Sequence, residues 1–201
     1  MLAGIVSLCL AYVLSQFFRS FLAVLTGILG QDIAVTPDDL STASGLWFLS
    51  FALMQIPVGG ALDRIGPRLT AAVLFLIGGA GGAALFAMAQ SALHIKLAML
   101  LIGVGCSPVL MASYYIFARV YSPRIFATLA ATTIGVGSVG NLAGSVPLVW
   151  VVQSYGWRET LWGLALVSAM IATAAFIFVR NPPKVESTQV GRFSDLLKMP
   201  A

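Results

Sequence analysis

Charged residues are scarce in this sequence: 9% of its 201 residues are charged, whereas 59% are hydrophobic. A soluble globule with so few charges would lack the polar surface needed to cover its core, so the composition excludes an ordinary soluble domain. The 11 lysines and arginines stand singly or in pairs between apolar runs. They form no basic face, which excludes nucleic acid as a partner. A lipid bilayer is the expected solvent.

Cysteine and histidine are scarcer still. Cys9 and Cys106 both lie inside apolar runs, where a disulfide framework is not expected. The single histidine, His94, stands near the start of an apolar run, whereas an intramembrane serine protease needs a histidine deep within a span. We therefore expect no catalytic residue, no enzyme activity, no metal ion and no cofactor.

Carboxylates are missing from the interior of every apolar run. Asp63 and Glu159 stand at the ends of such runs, and the other five acidic residues lie in polar segments. Because an ionisable group that carries protons across a membrane must sit within it, the sequence predicts no buried proton carrier.

Long apolar runs are what the sequence does have. A bilayer core about 30 Å thick needs roughly 20 apolar residues at 1.5 Å per residue. Six runs meet this length, at residues 2–30, 41–62, 69–89, 93–118, 125–152 and 159–180. The first is too long for the apolar part of a signal peptide, so we expect it to be retained. Residues 1–180 thus predict an all-α membrane protein, a bundle of six transmembrane helices.

The ends of these runs carry further signals. Ser41 follows an acidic segment and is the predicted N-cap of the second helix. Pro57, Pro108 and Pro147 stand inside the second, fourth and fifth runs, where kinks are expected. Two G-x-x-x-G pairs, in the third and fifth runs, predict close helix packing. Those pairs are Gly78 with Gly82 and Gly140 with Gly144.

Positive charge predicts the orientation. Short loops rich in Lys and Arg stay on the cytoplasmic side, and with the N-terminus inside, eight of the 11 basic residues fall there. Only Lys96 and Arg158 fall outside, and Arg19 lies within the first run. Both termini are therefore expected in the cytoplasm, with the bacterial inner membrane as the location. An aromatic belt is expected at the outer end, formed by Trp150, Tyr155, Trp157 and Trp162.

The segment between the second and third runs reads Gly59-Gly60-Ala61-Leu62-Asp63-Arg64-Ile65-Gly66-Pro67-Arg68. It resembles the loop signature G-x-x-x-D-R-x-G-R-R/K of the major facilitator superfamily, and it falls in the same predicted cytoplasmic turn. Tyr155-Gly156-Trp157-Arg158 before the sixth run is a second, weaker resemblance. Together they cover residues 1 to about 180.

The resemblance implies the N-terminal half of a twelve-helix transporter, made of two three-helix repeats of inverted topology. It implies a solute transporter that works by alternating access, either an antiporter or a symporter. A conformational gate would be formed by Gly59, Asp63, Arg64, Gly66 and Arg68. Asp63 stands at the C-terminal end of its helix, where the dipole disfavours a carboxylate. We expect it to pair with Arg64, Arg68 or the N-terminus of another helix.

The same resemblance implies a partner: a second six-helix half, on a missing part of the chain or on another chain. Residues 181–201 resemble the start of the cytoplasmic linker to it. Reading the frame past Ala201 would separate a fragment from a natural half-transporter. The sequence departs from proton-coupled members at Met99, where they carry an arginine before Gly103-Val104-Gly105.

Arg19 is the predicted substrate contact. It lies about eleven residues from the end of the first run, roughly 16 Å at 1.5 Å per residue, and a charge at that depth should face a cavity or a partner. Tyr12 and Gln16 share its helical face. A guanidinium binds carboxylate or phosphate through a planar fork of donors, so a small anionic substrate is expected. The alternatives are snorkelling toward the interface and an internal hydrogen-bond lock.

Further substrate contacts are predicted at Tyr114 in the fourth run and Asn141 in the fifth, with hydrogen bonding between helices as the alternative. Trp47, Phe51 and Gln55 form a stripe that predicts packing rather than a pocket. Arg19 also matches, weakly, an arginine that binds phosphate in the organophosphate:phosphate antiporter branch of the superfamily. A non-transporting receptor or assembly factor of the same fold remains the alternative function.

Overall fold

The computed structural model of the chain describes residues 2–183, and this part is helical with no strand. Six of its helices are long and apolar enough to cross a bilayer. Span 1 is Leu2–Ser20 continued by Leu22–Ile33, span 2 is Pro37–Arg64, span 3 is Pro67–Ala87, span 4 is Ala92–Val120, span 5 is Pro123–Ala143 continued by Val146–Tyr155, and span 6 is Trp157–Phe178. The six-helix architecture predicted from the sequence is confirmed. The predicted tail from Lys184 onward lies outside the described residues.

Span 2 begins earlier than its apolar run. Thr36 is the N-cap, and its hydroxyl accepts a hydrogen bond from the Asp39 backbone while the Asp39 carboxylate accepts one from the Thr36 backbone. This capping box places two carboxylates in the first turn, where the helix dipole stabilises them. The prediction of Ser41 as N-cap was therefore wrong.

The three prolines have different effects. Proline removes the hydrogen bond to the carbonyl four residues earlier, and helix segments end at Leu53 and Ala143, four residues before Pro57 and Pro147. Span 4 continues through Pro108 without a break. There, the Ser107 hydroxyl donates to the Val104 carbonyl at 2.7 Å, so the acceptor that Pro108 leaves open is satisfied.

The helices pack in a symmetric arrangement. Span 1 contacts spans 5 and 6, span 4 contacts spans 2 and 3, and the pairs 1 with 4 and 3 with 6 also touch. Exchanging spans 1–3 for spans 4–6 maps each of these pairs onto another or onto itself. Each unit passes through the membrane three times, which is an odd number. The second unit therefore starts on the opposite side of the membrane and is inverted relative to the first.

Glycines permit the closest approaches. A Cβ added to Gly78 or Gly105 would meet the other's backbone, where spans 3 and 4 cross. A Cβ on Gly140 would meet the Val13 carbonyl, where spans 5 and 1 cross. The packing predicted from both G-x-x-x-G pairs is confirmed. The Gly78 contact lies in a π-helical turn, Phe75–Ala80, that the sequence did not predict.

Asp32 lies at one end of the bundle, the Asp32 end, and Asp63 lies at the other, the Asp63 end. Trp150, Tyr155 and Trp162 are exposed toward the Asp32 end, as an interfacial belt requires. Trp157 is buried and packs edge to face on Phe86 at 6.2 Å. Its assignment to the belt was wrong, because its indole faces the core.

Candidate functional site

A concavity of about 350 Å³ opens between spans 1, 2 and 4. Span 1 supplies its polar wall and spans 2 and 4 its apolar wall. The lining residues are Tyr12, Ser15, Gln16 and Arg19 on the first wall, and Trp47, Phe48, Phe51 and Leu110 on the second. The structure therefore brings together three of the residues predicted to contact substrate, Tyr12, Gln16 and Arg19.

The Arg19 side chain is exposed and lines this concavity. Its Cζ lies 5.4 Å from the centroid of the Phe48 ring, in a cation–π arrangement. Three ion pairs occur among residues 2–183, and none includes Arg19. Its guanidinium therefore has no carboxylate partner in the described part of the chain.

Gln16 and Tyr12 are joined to each other. The Gln16 amide nitrogen lies 2.6 Å from the Tyr12 hydroxyl oxygen, to which it donates. This bond between residues one helical turn apart fixes both side chains on the Arg19 face. The polar wall is thus partly pre-organised.

The apolar wall is a cluster of aromatic rings on span 2. Trp47 stacks on Phe51 at 5.2 Å and 14°, and meets Phe48 edge to face at 4.9 Å. The stripe of Trp47 and Phe51 was predicted to serve packing alone, yet both rings line the concavity. The Trp47 indole nitrogen is buried and has no hydrogen-bond partner among the described residues.

A second concavity, of about 470 Å³, lies on the other side of Arg19 toward the Asp32 end. Its polar lining is hydroxyl-bearing: Ser20, Thr26, Ser41 and Ser44. The Ser20 and Thr26 hydroxyls donate to carbonyls of their own helix, Phe17 at 3.2 Å and Ala23 at 3.0 Å. Arg19 thus stands between an aromatic and a hydroxyl-lined space.

Two other predicted contacts lie elsewhere. Tyr114 is half-buried and meets Phe126 edge to face at 5.8 Å. Asn141 is half-buried in span 5, beside the Gly140 crossing. Neither lines the Arg19 concavities in the described structure.

At the Asp63 end, the predicted gate carboxylate has a different partner from those expected. Asp63 pairs with Arg119 of span 4, with 3.4 Å between Oδ1 and a guanidinium nitrogen. Arg119 also lies over the Tyr115 ring, 3.4 Å from its centroid. Of the three expected partners, Arg64 and Arg68 were wrong, and the N-terminus of another helix stays a prediction. In the sequence, Arg119 is one of the eight basic residues expected on the cytoplasmic side, and its position beside Asp63 depends on the crossing of spans 2 and 4.

Arg68 instead fastens span 3 to span 6. Its Nε donates to the Phe176 carbonyl at 2.6 Å, and its guanidinium lies 4.6 Å from the Phe176 ring centroid. The carbonyls of a helix's last turn lack partners within the helix, so a cation there is doubly favourable.

Gly66 and Asn181 form an N-cap that the sequence did not reveal. Gly66 occupies the cap position of span 3 and has no side chain to bond the free N–H groups. Asn181, after span 6, accepts from the Arg68 backbone N–H at 3.0 Å. Gly66 has φ +100°, and an added Cβ would lie 2.7 Å from the Asn181 side chain. A residue distant in sequence therefore caps this helix.

The Asp32 end carries two ion pairs between helices. Asp32, in the last turn of span 1, pairs with Arg158 at 2.7 Å and accepts from the Trp157 indole at 3.1 Å. Arg158 also donates to the Ala89 carbonyl at 2.9 Å. Asp39 pairs with Lys96 at 2.7 Å. These contacts join spans 1, 3 and 6, and spans 2 and 4.

Among residues 2–183, no three His, Cys, Asp or Glu side chains lie close enough together to hold a metal ion. The polar chemistry of the described site is that of Arg19 and its neighbours.

Comparison with known families gives one match over nearly the whole chain. The sequence model of the Major Facilitator Superfamily matches residues 8–200. This range contains the loop signature around Asp63 and all the residues of both concavities.

Three curated proteins are similar in sequence. The "Probable nitrate transporter NarT" of Staphylococcus carnosus is 27% identical over 89% of this chain. The "Probable sulfoacetate transporter SauU" of Cupriavidus necator is 26% identical over 88%. The "Probable L-galactonate transporter" of Escherichia coli is 24% identical over 90%. The matches cover 46%, 41% and 40% of those proteins, so the chain spans less than half their length.

A solved structure shares the fold. It is the crystal structure of a bacterial homolog to the human lysosomal transporter Spinster, in an inward-facing and unoccupied conformation. The TM-score is 0.71 at 19% identity, and the match covers 94% of this chain and 45% of that one. The six spans thus correspond in fold to about half of that transporter.

Proposed function

Because the chain belongs to the major facilitator superfamily, we propose that it forms the six-helix unit of a transporter that moves a small anion by alternating access. The family and the names of its relatives indicate transport rather than catalysis.

Arg19 carries the proposal of an anion. It lies in the middle of an apolar bundle, exposed in a concavity, with no carboxylate partner among residues 2–183. A charge in the membrane is retained where it faces a water-filled path or binds a counter-charge. The relatives are named for nitrate, sulfoacetate and L-galactonate, all of which are anions.

A second six-helix unit would face the Arg19 side. Polar groups are exposed there, among them Arg19 and Ser41, which line the same concavity. Spans 3 and 6 expose apolar side chains instead, including Leu76, Ile77, Leu166 and Met170. The apolar surface of spans 3 and 6 suits contact with lipid. The Arg19 side suits contact with a partner that encloses water and solute.

The Asp63 end would be the cytoplasmic gate. Gly59, Asp63, Arg64, Gly66 and Arg68 match the superfamily signature, and Asp63 and Arg68 make the contacts that hold spans 2, 3, 4 and 6 together. These contacts are polar and near the surface, so they can exchange as the helices move. Both termini would then be cytoplasmic, in a bacterial inner membrane.

Uptake into liposomes by the full-length protein tests this proposal. Hydrogen bonds to charged groups contribute about 1.5–3 kcal/mol, which corresponds to about 10- to 150-fold in affinity. Arg19→Gln should weaken anion uptake by that factor, and Arg19→Lys by less, because it keeps the charge but loses the planar fork.

The matched control is Arg124→Gln, an exposed arginine at the start of span 5 that lines neither concavity. It should leave uptake unchanged. Transport of a neutral solute that survives Arg19→Gln would contradict the proposal and make Arg19 a structural residue.

A further inference from the structure

The geometry points to a more specific substrate class: a monoanion whose body is flat and apolar, such as an aromatic carboxylate. This inference rests on the proposed function, because it assigns the body of the same anion that Arg19 holds. It follows from the asymmetry of the concavity, which has hydrogen-bonding groups on one wall and aromatic rings on the other.

The polar wall has one charged group. Its other members, Tyr12, Ser15 and Gln16, are neutral, and the Gln16 amide already donates to the Tyr12 hydroxyl at 2.6 Å. The Arg19 guanidinium can bind one carboxylate through two parallel hydrogen bonds. Span 1 therefore provides a charged partner for a single anionic group.

The opposite wall suits a flat ring. Phe48 and Trp47 present rings at 84° to each other, and Trp47 and Phe51 lie nearly parallel. Aromatic bodies bind such clusters through offset stacking and edge-to-face contacts. Phe48 also lies beneath Arg19 at 5.4 Å, so a ring attached directly to the bound carboxylate would come to rest against this wall.

A polyhydroxylated acid would fit this wall poorly. Its hydroxyls would leave water and meet mainly aromatic carbon. The one polar group of this wall, the buried Trp47 indole N–H, could serve a single hydroxyl, and the others would lose their hydrogen bonds to water without replacement. The hydroxyl-lined concavity on the other side of Arg19 is the alternative location for such a substrate. Two of its four hydroxyls, those of Ser20 and Thr26, already donate to backbone carbonyls. Their hydrogens are therefore not free to donate to a substrate's oxygens.

Calorimetric titration of the full-length protein in nanodiscs distinguishes an aromatic substrate from a polyhydroxylated one. Benzoate and gluconate are both monocarboxylates, so their charge is matched and only the body differs. We expect benzoate to bind at least tenfold more tightly, with cyclohexanecarboxylate between them. Tighter binding of gluconate would overturn the inference and assign the hydroxyl-lined concavity to the substrate.

Phe48→Leu removes the ring but keeps an apolar side chain. Aromatic pairs add about 0.5–1.5 kcal/mol, so this variant should lose about two- to tenfold in affinity for benzoate while gluconate binding stays constant. Phe178→Leu is the matched control, because Phe178 is 49% exposed and Phe48 47%, yet Phe178 lies outside the concavity.

The two proposals fail in different ways. If both anions bind with equal affinity and both are lost in Arg19→Gln, the anion site stands and the aromatic preference is refuted. If neither anion binds and a neutral solute does, the proposed function itself is refuted.

Discussion

Gly60 and Gly66 stand six residues apart in the loop signature but have different surroundings. Gly60 is exposed in span 2, and an added Cβ would meet nothing within 4 Å. Gly66 has φ +100°, and the same Cβ would lie 2.7 Å from Asn181. Gly66 is a fixed position of the signature, whereas Gly60 is one of its variable positions. The folded structure adds the physical reason, because only Gly66 occupies a backbone conformation that requires glycine.

Gly66→Ala should therefore destabilise the protein, and Gly60→Ala should not. A non-glycine residue in a sparsely populated backbone region costs about 1–3 kcal/mol, and the Asn181 cap would also be displaced. Gly60→Ala should be neutral or stabilising by about 0.5–1 kcal/mol, because alanine favours a helix. Thermal unfolding in detergent measures both. Equal melting temperatures for the two variants would contradict the account.

Arg19 shows how far the sequence alone predicts the surroundings of one side chain. Its depth and its alignment with Tyr12 and Gln16 follow from helix geometry alone. The aromatic wall opposite could not be predicted, because the angle at which span 2 crosses span 1 depends on packing contacts far apart in the sequence. Asn181 was missed for a related reason, since it lies 113 residues from the backbone N–H that it caps.

Among the elements, Pro108 differs from Pro57 and Pro147 because of its neighbour. Pro57 and Pro147 leave the Leu53 and Ala143 carbonyls without a backbone donor, and the helix segments end at those residues. Pro108 leaves the Val104 carbonyl without one, but there the Ser107 hydroxyl donates instead. The loss of a backbone donor was predictable from each proline. Its replacement by a serine hydroxyl depends on the side-chain rotamer, which the sequence does not specify.

Ser107→Ala should therefore cost more than Ser113→Ala. Both serines are 1% exposed, and Ser113 bonds the Val109 carbonyl. Val109 keeps the backbone donor of residue 113, but Val104 would be left without one. A buried unsatisfied carbonyl costs about 1–3 kcal/mol, so we expect a difference of that size in unfolding free energy. Indistinguishable denaturation midpoints would refute this explanation of span 4.

The Asp63 and Arg119 pair joins spans 2 and 4 at one end. The Asp63 side chain is 67% exposed, and an exposed ion pair contributes about 0–1 kcal/mol to stability. Asp63→Asn and Arg119→Gln should thus fold normally and bind substrate with little change. We expect each to slow transport, measured as initial uptake rate against equilibrium binding. A parallel loss of binding and uptake would argue against a gating role.

At the scale of the whole molecule, six spans, their order and the superfamily could be predicted, because apolar length and one loop signature are local features. The paired crossings of spans 1 with 5 and 2 with 4 could not. They are permitted by Gly140 and by Gly103, where an added Cβ would meet the Val13 and Trp47 carbonyls, and such glycines are typical of any membrane helix. Orientation rests on the distribution of basic residues, which is again a sequence property.

Cysteine labelling in intact cells tests that orientation. In a variant lacking Cys9 and Cys106, cysteines at Asp38 and Gln153 should react with an impermeant thiol reagent. A cysteine at Ser122, in the loop between spans 4 and 5, should react only after permeabilisation. All three parent residues are exposed. The reverse pattern would place the Asp63 end outside.

If Arg19 binds the transported anion, a structure of the full-length protein with that anion bound should show the contact. We expect an anion oxygen about 2.7–3.2 Å from a guanidinium nitrogen of Arg19, within the space bordered by spans 1 and 2. An anion bound elsewhere, with Arg19 paired to a carboxylate of the protein, would contradict this role of Arg19.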